Sequence, residues 1–225
     1  MVTNLAYFYE SSHKVRGGKW VWVKDSNGEQ RGNVLLGGTI LNPKKGFDHL
    51  YAAQLVQYTP AQGCLIFRSF KAQAAATASA TEIYLDGDGY SDAPEAGMLL
   101  MIAPSSANGT GQSALVSAVE FDEKNKKFKV TLAATLGTAL NVGDILVEAA
   151  GPAASATATV LVPNPNTFIE ADRDLLPTEG FGIDGTANYS MSAVYNKQAW
   201  IARMQPLPDY VLSKNRSYID GIFWI

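Results

Sequence analysis

Two nearly matching stretches, poor in charge and rich in alanine, threonine and serine, constrain this chain more than any other feature. The first is Lys71-Ala72-Gln73-Ala74-Ala75-Ala76-Thr77-Ala78-Ser79-Ala80, and the second runs from Glu148 through Gly151-Pro152 to Thr159. Such runs offer little apolar bulk and cannot build a core of their own. They read as spacers. Between them lies a turn-punctuated block of short strands, about 70 residues long, near the lower limit for a chain that folds alone. The expectation is a small module carried within something else, a construction suited to a structural or display protein.

The bulk numbers narrow the classes. The chain has 225 residues, enough for one large or two small domains. Charged residues make up 17%, below the roughly 25% of ordinary globular proteins. A low charge fraction with 20 Gly and 10 Pro suits an all-β protein that buries surface against partners. The net charge of −3 gives no electrostatic footprint for nucleic acid. The longest strongly apolar run, Met98 to Ala103, is far shorter than the ~20 residues of a membrane helix. No membrane partner is expected. The first ten residues lack the basic start and long apolar stretch of a secretory signal, so synthesis in a cytoplasm without signal-led export is expected. Without export, the Asn-x-Ser/Thr triplets at Asn108, Asn188 and Asn215 carry no glycosylation.

Periodicity points to strands throughout. Trp20-Val21-Trp22-Val23 alternates aromatic and β-branched residues, and Asn27-Gly28 follows as a hairpin signal. Further strands are expected at 33–41, 55–58 and 63–70. In the middle block they fall at 81–85, 96–102, 114–121, 127–132 and 142–148, with Asp122 to Lys126 as a charged hairpin tip. Tyr189 to Asn196 alternates as a half-buried strand, and 209–212 reads as a short helical turn. The predicted fold is all-β: a composite β domain from both chain ends (residues 1–70 and 153–225), with an inserted small β-barrel-like module at 71–152. The apolar end, Ile222-Phe223-Trp224-Ile225, is expected to dock rather than hang free. With Trp200 it forms the candidate subunit interface.

Residues that could carry chemistry are sparse. Two histidines, His13 and His49, and one cysteine cannot supply the ligands of a zinc site. Cys64, in the apolar run Gly63 to Phe67, reads as a buried small hydrophobe with no basic group to activate it. No Gly-x-Ser-x-Gly elbow accompanies either histidine. Asp86, Asp88 and Asp92 lie on a glycine-bent loop, the pattern calcium favours, yet Gly97 stands where an EF-hand needs its glutamate. The bland reading is a turn with solvated acids. Gly109-Thr110-Gly111-Gln112-Ser113 lacks the lysine of a phosphate loop. No cofactor and no catalytic residue are expected. A hydrolase would need Asp172 or Asp174 to face Glu170 or Glu179 across a cleft. A carbohydrate- or receptor-binding module would instead present Tyr84, Tyr90 and Trp200 in a groove.

The segments Thr77–Leu85, Ala96–Met101, Val116–Phe121, Phe128–Leu132 and Val142–Leu146 share one logic: a glycine before a strand, a hairpin, then Gly-Asp and a closing strand. That block, with Arg203 to Pro208 ahead of the apolar terminal strand, resembles virion proteins of tailed bacteriophages. These decorate capsids or form head fibres, especially in phages of Bacteroides-type hosts. The resemblance covers about half the chain and brings no catalytic residues with it. It implies a virion location on the capsid surface, contact with the major capsid protein, assembly as a homotrimer, and a host surface glycan as a further candidate partner.

Overall fold

Alternating apolar residues in the middle of the chain become the wall of a barrel. A computed structural model describes residues 14–15, 19–20, 33–36, 40–42, 48–51, 53–59, 63–88, 92–169, 173–175, 191–194, 198–199, 204–213 and 223–224. The chain begins with β1 (Lys14–Val15), β2 (Lys19–Trp20), β3 (Asn33–Leu36), β4 (Asp48–Leu50), β5 (Leu55–Thr59) and β6 (Gly63–Ile66). The middle holds β7 (Ser69–Lys71), β8 (Glu82–Asp86), β9 (Leu99–Ile102), β10 (Thr110–Gly111), β11 (Ser113–Asp122), β12 (Lys127–Leu132), β13 (Ile145–Ala150) and β14 (Ala158–Val160). The last part adds β15 (Thr167–Ile169), β16 (Arg173–Leu175), β17 (Met191–Val194), β18 (Gln198–Ala199), the short helix α1 (Asp209–Ser213) and β19 (Phe223–Trp224). The fold is all-β, as predicted.

The chain divides into two units. One holds Met1–Ile66, Pro165–Met204 and Asn215–Ile225; the other holds Phe67–Asn164 and Gln205–Lys214. In the second, antiparallel strands follow the order β10-β14-β13-β9-β11-β12-β8, with β7 also on β13. A bridge between Ala72 and Leu85, and a bond from Gln73 N–H to the Tyr84 carbonyl at 2.9 Å, bring β7 against β8. The sheet thus curls until its ends meet. Strand period 2 sends alternate residues inward. Phe70, Ile83, Leu85, Leu100, Ala114, Val116, Val130, Leu132 and Leu146 form one buried core. Gly87 is required at the β8 end: a Cβ there would lie 2.6 Å from Phe121 Cε2 and 3.0 Å from the Lys126 carbonyl oxygen.

The Ala/Thr/Ser stretches are not spacers outside the module. Ala72 is fully buried, its N–H donates to the Asp144 carbonyl, and its own carbonyl accepts from Gly143 N–H. Ala76 and Leu140 exchange two backbone bonds of 2.9 Å. The second stretch ends β13, turns at Gly151 (φ 117°) and returns as β14, with Ala149 opposite Val160. Small side chains let these backbones enter the wall, so poverty of bulk marked close packing rather than freedom. The unit boundaries accordingly fall at Ile66/Phe67 and Asn164/Pro165, outside residues 71 and 152. The barrel unit also takes in a second segment, 205–214. On the outer face of β13, Val147 is in register with both Met101 and Ser69, and all three are fully buried. The Ser69 hydroxyl donates to the Pro206 carbonyl, and the Gln205 amide donates to the Phe67 carbonyl at 3.0 Å. Residues 205–206 are thereby tied beside β7. Leu207, Tyr210 and Val211 are buried on the same segment.

The other unit is built from both chain ends. Its five-stranded sheet has the order β3-β17-β15-β5-β6, over a core of Ile40, Leu50, Val56, Cys64, Ile66 and Ile169. Shorter pairs are β1 with β2, β4 with β16, and β18 with β19 in parallel. Two asparagines extend this sheet with side-chain amides. Asn166 accepts from Tyr58 N–H at 2.8 Å and donates to the Tyr58 carbonyl at 2.9 Å. Asn42 does the same to Ile66, with both bonds at 2.8 Å. Each primary amide mimics a peptide group and completes a ladder where no strand residue reaches. Asn166→Ala strips both partners from Tyr58 and is expected to cost about 1–3 kcal/mol in urea unfolding. Asn166→Asp is expected to be at least as damaging at neutral pH, because its carboxylate faces a carbonyl, and to recover in acid, where a protonated carboxyl donates again.

Candidate functional site

The outer face of β8, β12 and β11 collects polar side chains by strand register. Tyr84 lies beside Lys129, which lies beside Glu120; Asp86 lies beside Lys127, which lies beside Asp122. The Tyr84 hydroxyl donates to Glu82 at 2.6 Å, and Lys129 pairs with Glu82 at 2.9 Å. The Tyr84 bond, followed by Lys129, holds the Glu82 carboxyl below its ordinary value. The same contacts push the Tyr84 hydroxyl and the Lys129 ammonium upward. Lys127 sits over the Tyr84 ring at 4.3 Å. A sugar stacking on Tyr84 therefore has to displace that ammonium or use the opposite face.

The aspartates of the glycine-bent loop have separate fates. Asp86 pairs with Lys71 at 3.4 Å, Asp88 is exposed and Asp92 is buried. Among the described residues, no three His, Cys, Asp or Glu side chains converge as a metal-holding group. At the hairpin tip, Asp122 accepts from Lys124 N–H, Asn125 N–H and the Asn125 amide, and that amide above all lowers its carboxyl. Lys126 adopts φ 50° and stands 6.0 Å from the Phe121 ring. Phe121 packs on Phe128 at 4.8 Å yet remains 45% exposed. Register runs from Phe121 through Phe128 and Leu85 to Ala72, which bonds Gly143. The same barrel end thus carries exposed Val142. This rim presents Phe121 and Val142 to solvent among charged turns.

At the other end of the interior sits a charged pair that sequence reasoning missed. Glu148 shares a face with Leu146, and Arg68 lies two residues before Phe70, so both extend the inward rows. Arg68 is 1% exposed and meets Glu148 at 3.4 Å. The signal was present: one arginine in Phe67-Arg68-Ser69-Phe70 and one glutamate after Leu146-Val147, each alone in an apolar run. Assigning Glu148 to a spacer concealed it. Cys64 is buried in the core of the other unit, and burial pushes its thiol up to about 12.

Of the hydrolase carboxylates, Glu170, Asp172 and Glu179 lie outside the described residues. Asp174 lies on β16 opposite His49 on β4. Tyr90, Trp200, Ile222, Ile225 and His13 also lie outside the described residues. Phe223 and Trp224 form β19, whose backbone pairs with β18 of the same unit. Comparison with known proteins returns no match to any family model, curated protein or solved structure.

Replacing Glu148 by leucine alone leaves the Arg68 guanidinium buried without that carboxylate and is expected to cost on the order of 3 kcal/mol. Pairing it with Arg68→Met should return stability to within about 1 kcal/mol of the parent, measured by urea denaturation as a double-mutant cycle. Cys64 makes a pH prediction. Its folded value lies above the ordinary 9.0, so its contribution to stability is complete below about 9 and falls as pH rises toward about 12. Cys64→Ala should flatten that alkaline loss of stability.

Proposed function

We propose that this chain is a non-enzymatic virion structural protein that decorates a phage capsid or forms a head fibre on it. The observation that carries the reading is the insertion architecture. A composite sheet built from both chain ends is one unit, and a barrel built mainly from the middle of the chain is the other. The long segment 67–164 enters and leaves that barrel at one strand edge, with 205–214 added separately: Glu148 N–H donates to the Arg68 carbonyl, and the Glu148 carbonyl accepts from Leu161 N–H. Adjacent entry and exit are what a domain needs to sit inside a host without distorting it. The resemblance of the strand block to capsid-decorating proteins supports the same reading. It makes the major capsid protein the partner and a homotrimer the assembly.

The test is quantitative peptide mass spectrometry on density-purified phage particles that carry the coding gene. Peptides in amounts comparable to the major capsid protein are the expected result, with light scattering of the purified chain giving a trimer mass. A few copies per particle would move the protein to the tail and favour receptor or glycan binding. Absence from the particles would overturn the virion reading.

A further inference from the structure

The loop between β9 and β10 contains Asn108-Gly109, a dipeptide whose chemistry differs from that of the rest of the loop. Asn108 is exposed. Glycine after asparagine leaves the following peptide nitrogen unshielded by a Cβ, which makes the asparagine amide intrinsically prone to cyclise. The fold insists on that glycine: a Cβ at 109 would lie 2.5 Å from Pro104 Cβ and 3.0 Å from the Ser106 carbonyl oxygen. An alternative residue that would protect Asn108 is therefore excluded by packing. The fold also restrains the reaction, because Gly109 N–H donates to the Ser106 carbonyl at 2.9 Å and closes the turn.

We propose that Asn108 is a modification site. Water converts it to aspartate and isoaspartate, at a rate set by opening of the Ser106–Gly109 turn. Once that hydrogen bond opens, the deprotonated Gly109 nitrogen attacks Asn108 Cγ. A new N–Cγ bond forms, the Cγ–Nδ2 bond breaks, and the NH2 group leaves as ammonia, taking up from solvent one proton, equal to the one the Gly109 nitrogen released. Water then opens the succinimide. Cleavage at the side-chain carbonyl gives aspartate, and cleavage at the main-chain carbonyl gives isoaspartate. The net change is Asn plus water to Asp plus ammonia, with no oxidant or reductant, and it adds one negative charge. Isoaspartate also lengthens the backbone by one carbon, immediately before the crowded Gly109 and the Thr110–Thr159 pairing of β10 with β14.

The test follows the Asn108 peptide of the full chain by mass spectrometry during incubation at mildly alkaline pH, once in native buffer and once in urea. The expected result is a gain of about 1 Da in the native chain, slower by roughly tenfold or more than in urea, because only locally opened molecules react. Asn108→Gln in parallel should abolish the gain at that peptide. Equal rates in buffer and urea would overturn the proposal, since the turn would then gate nothing. No gain in the native chain while the unfolded chain converts completely would overturn it too, since Asn108 would then be unreactive in the fold.

Discussion

Everything in the barrel depends on β13 being paired along both edges. β9 occupies one edge, and β7 and β14 share the other end to end, meeting at Glu148. That arrangement satisfies the backbone of a strand whose Leu146 and Val147 are buried on opposite faces. A strand buried on both sides has no water to bond, so every peptide group needs a protein partner. The seam at Ala72–Leu85 follows from it. Once β7 is fixed on β13, its continuation is carried against β8, and the curl of a twisted sheet does the rest.

The strand periods were legible because inward positions carry large apolar residues and outward ones carry Glu82, Tyr84, Lys127 and Lys129. All five predicted strands of the middle block are present within a few residues, and the helical turn at 209–212 is α1. What stayed hidden has a common cause. Ala72, Ala76 and Ala149 take part in the wall through backbone bonds, and hydrogen-bonding backbone leaves no mark on side-chain pattern. Asn42 and Asn166 pair with residues 24 and 108 positions away, so no local window contains both partners. Arg68 and Glu148 each stood out in an apolar run, but their pairing across 80 residues was hidden for the same reason.

The distribution of polar groups also bears on function. On the barrel's outer face, Glu82 and Asp86 pair with lysines and Asp122 accepts from turn amides, so these charges serve the strands that carry them. Among the described residues of the barrel unit, the exposed large apolar side chains are at the rim: Phe121 at the end of β11, beside the turn that Asp122 caps, and Val142 in the turn closed by the Asn141–Asp144 bond at 2.7 Å.

The interleaved sheet order β3-β17-β15-β5-β6 has a consequence for how the chain is made. β3 and β5 cannot become parts of one sheet until β15 and β17 lie between them, yet about 100 residues separate β6 from β15. At translation rates of about 5–20 residues per second, the amino-terminal strands wait roughly 5–20 s for their partners. Throughout that interval Leu55, Val56 and Ile66 have no finished core to enter, while the barrel emerges and closes on contacts mostly of its own. Synthesis therefore passes through a species with a folded middle and an unfinished beginning, and crowded neighbouring copies are most hazardous to it then.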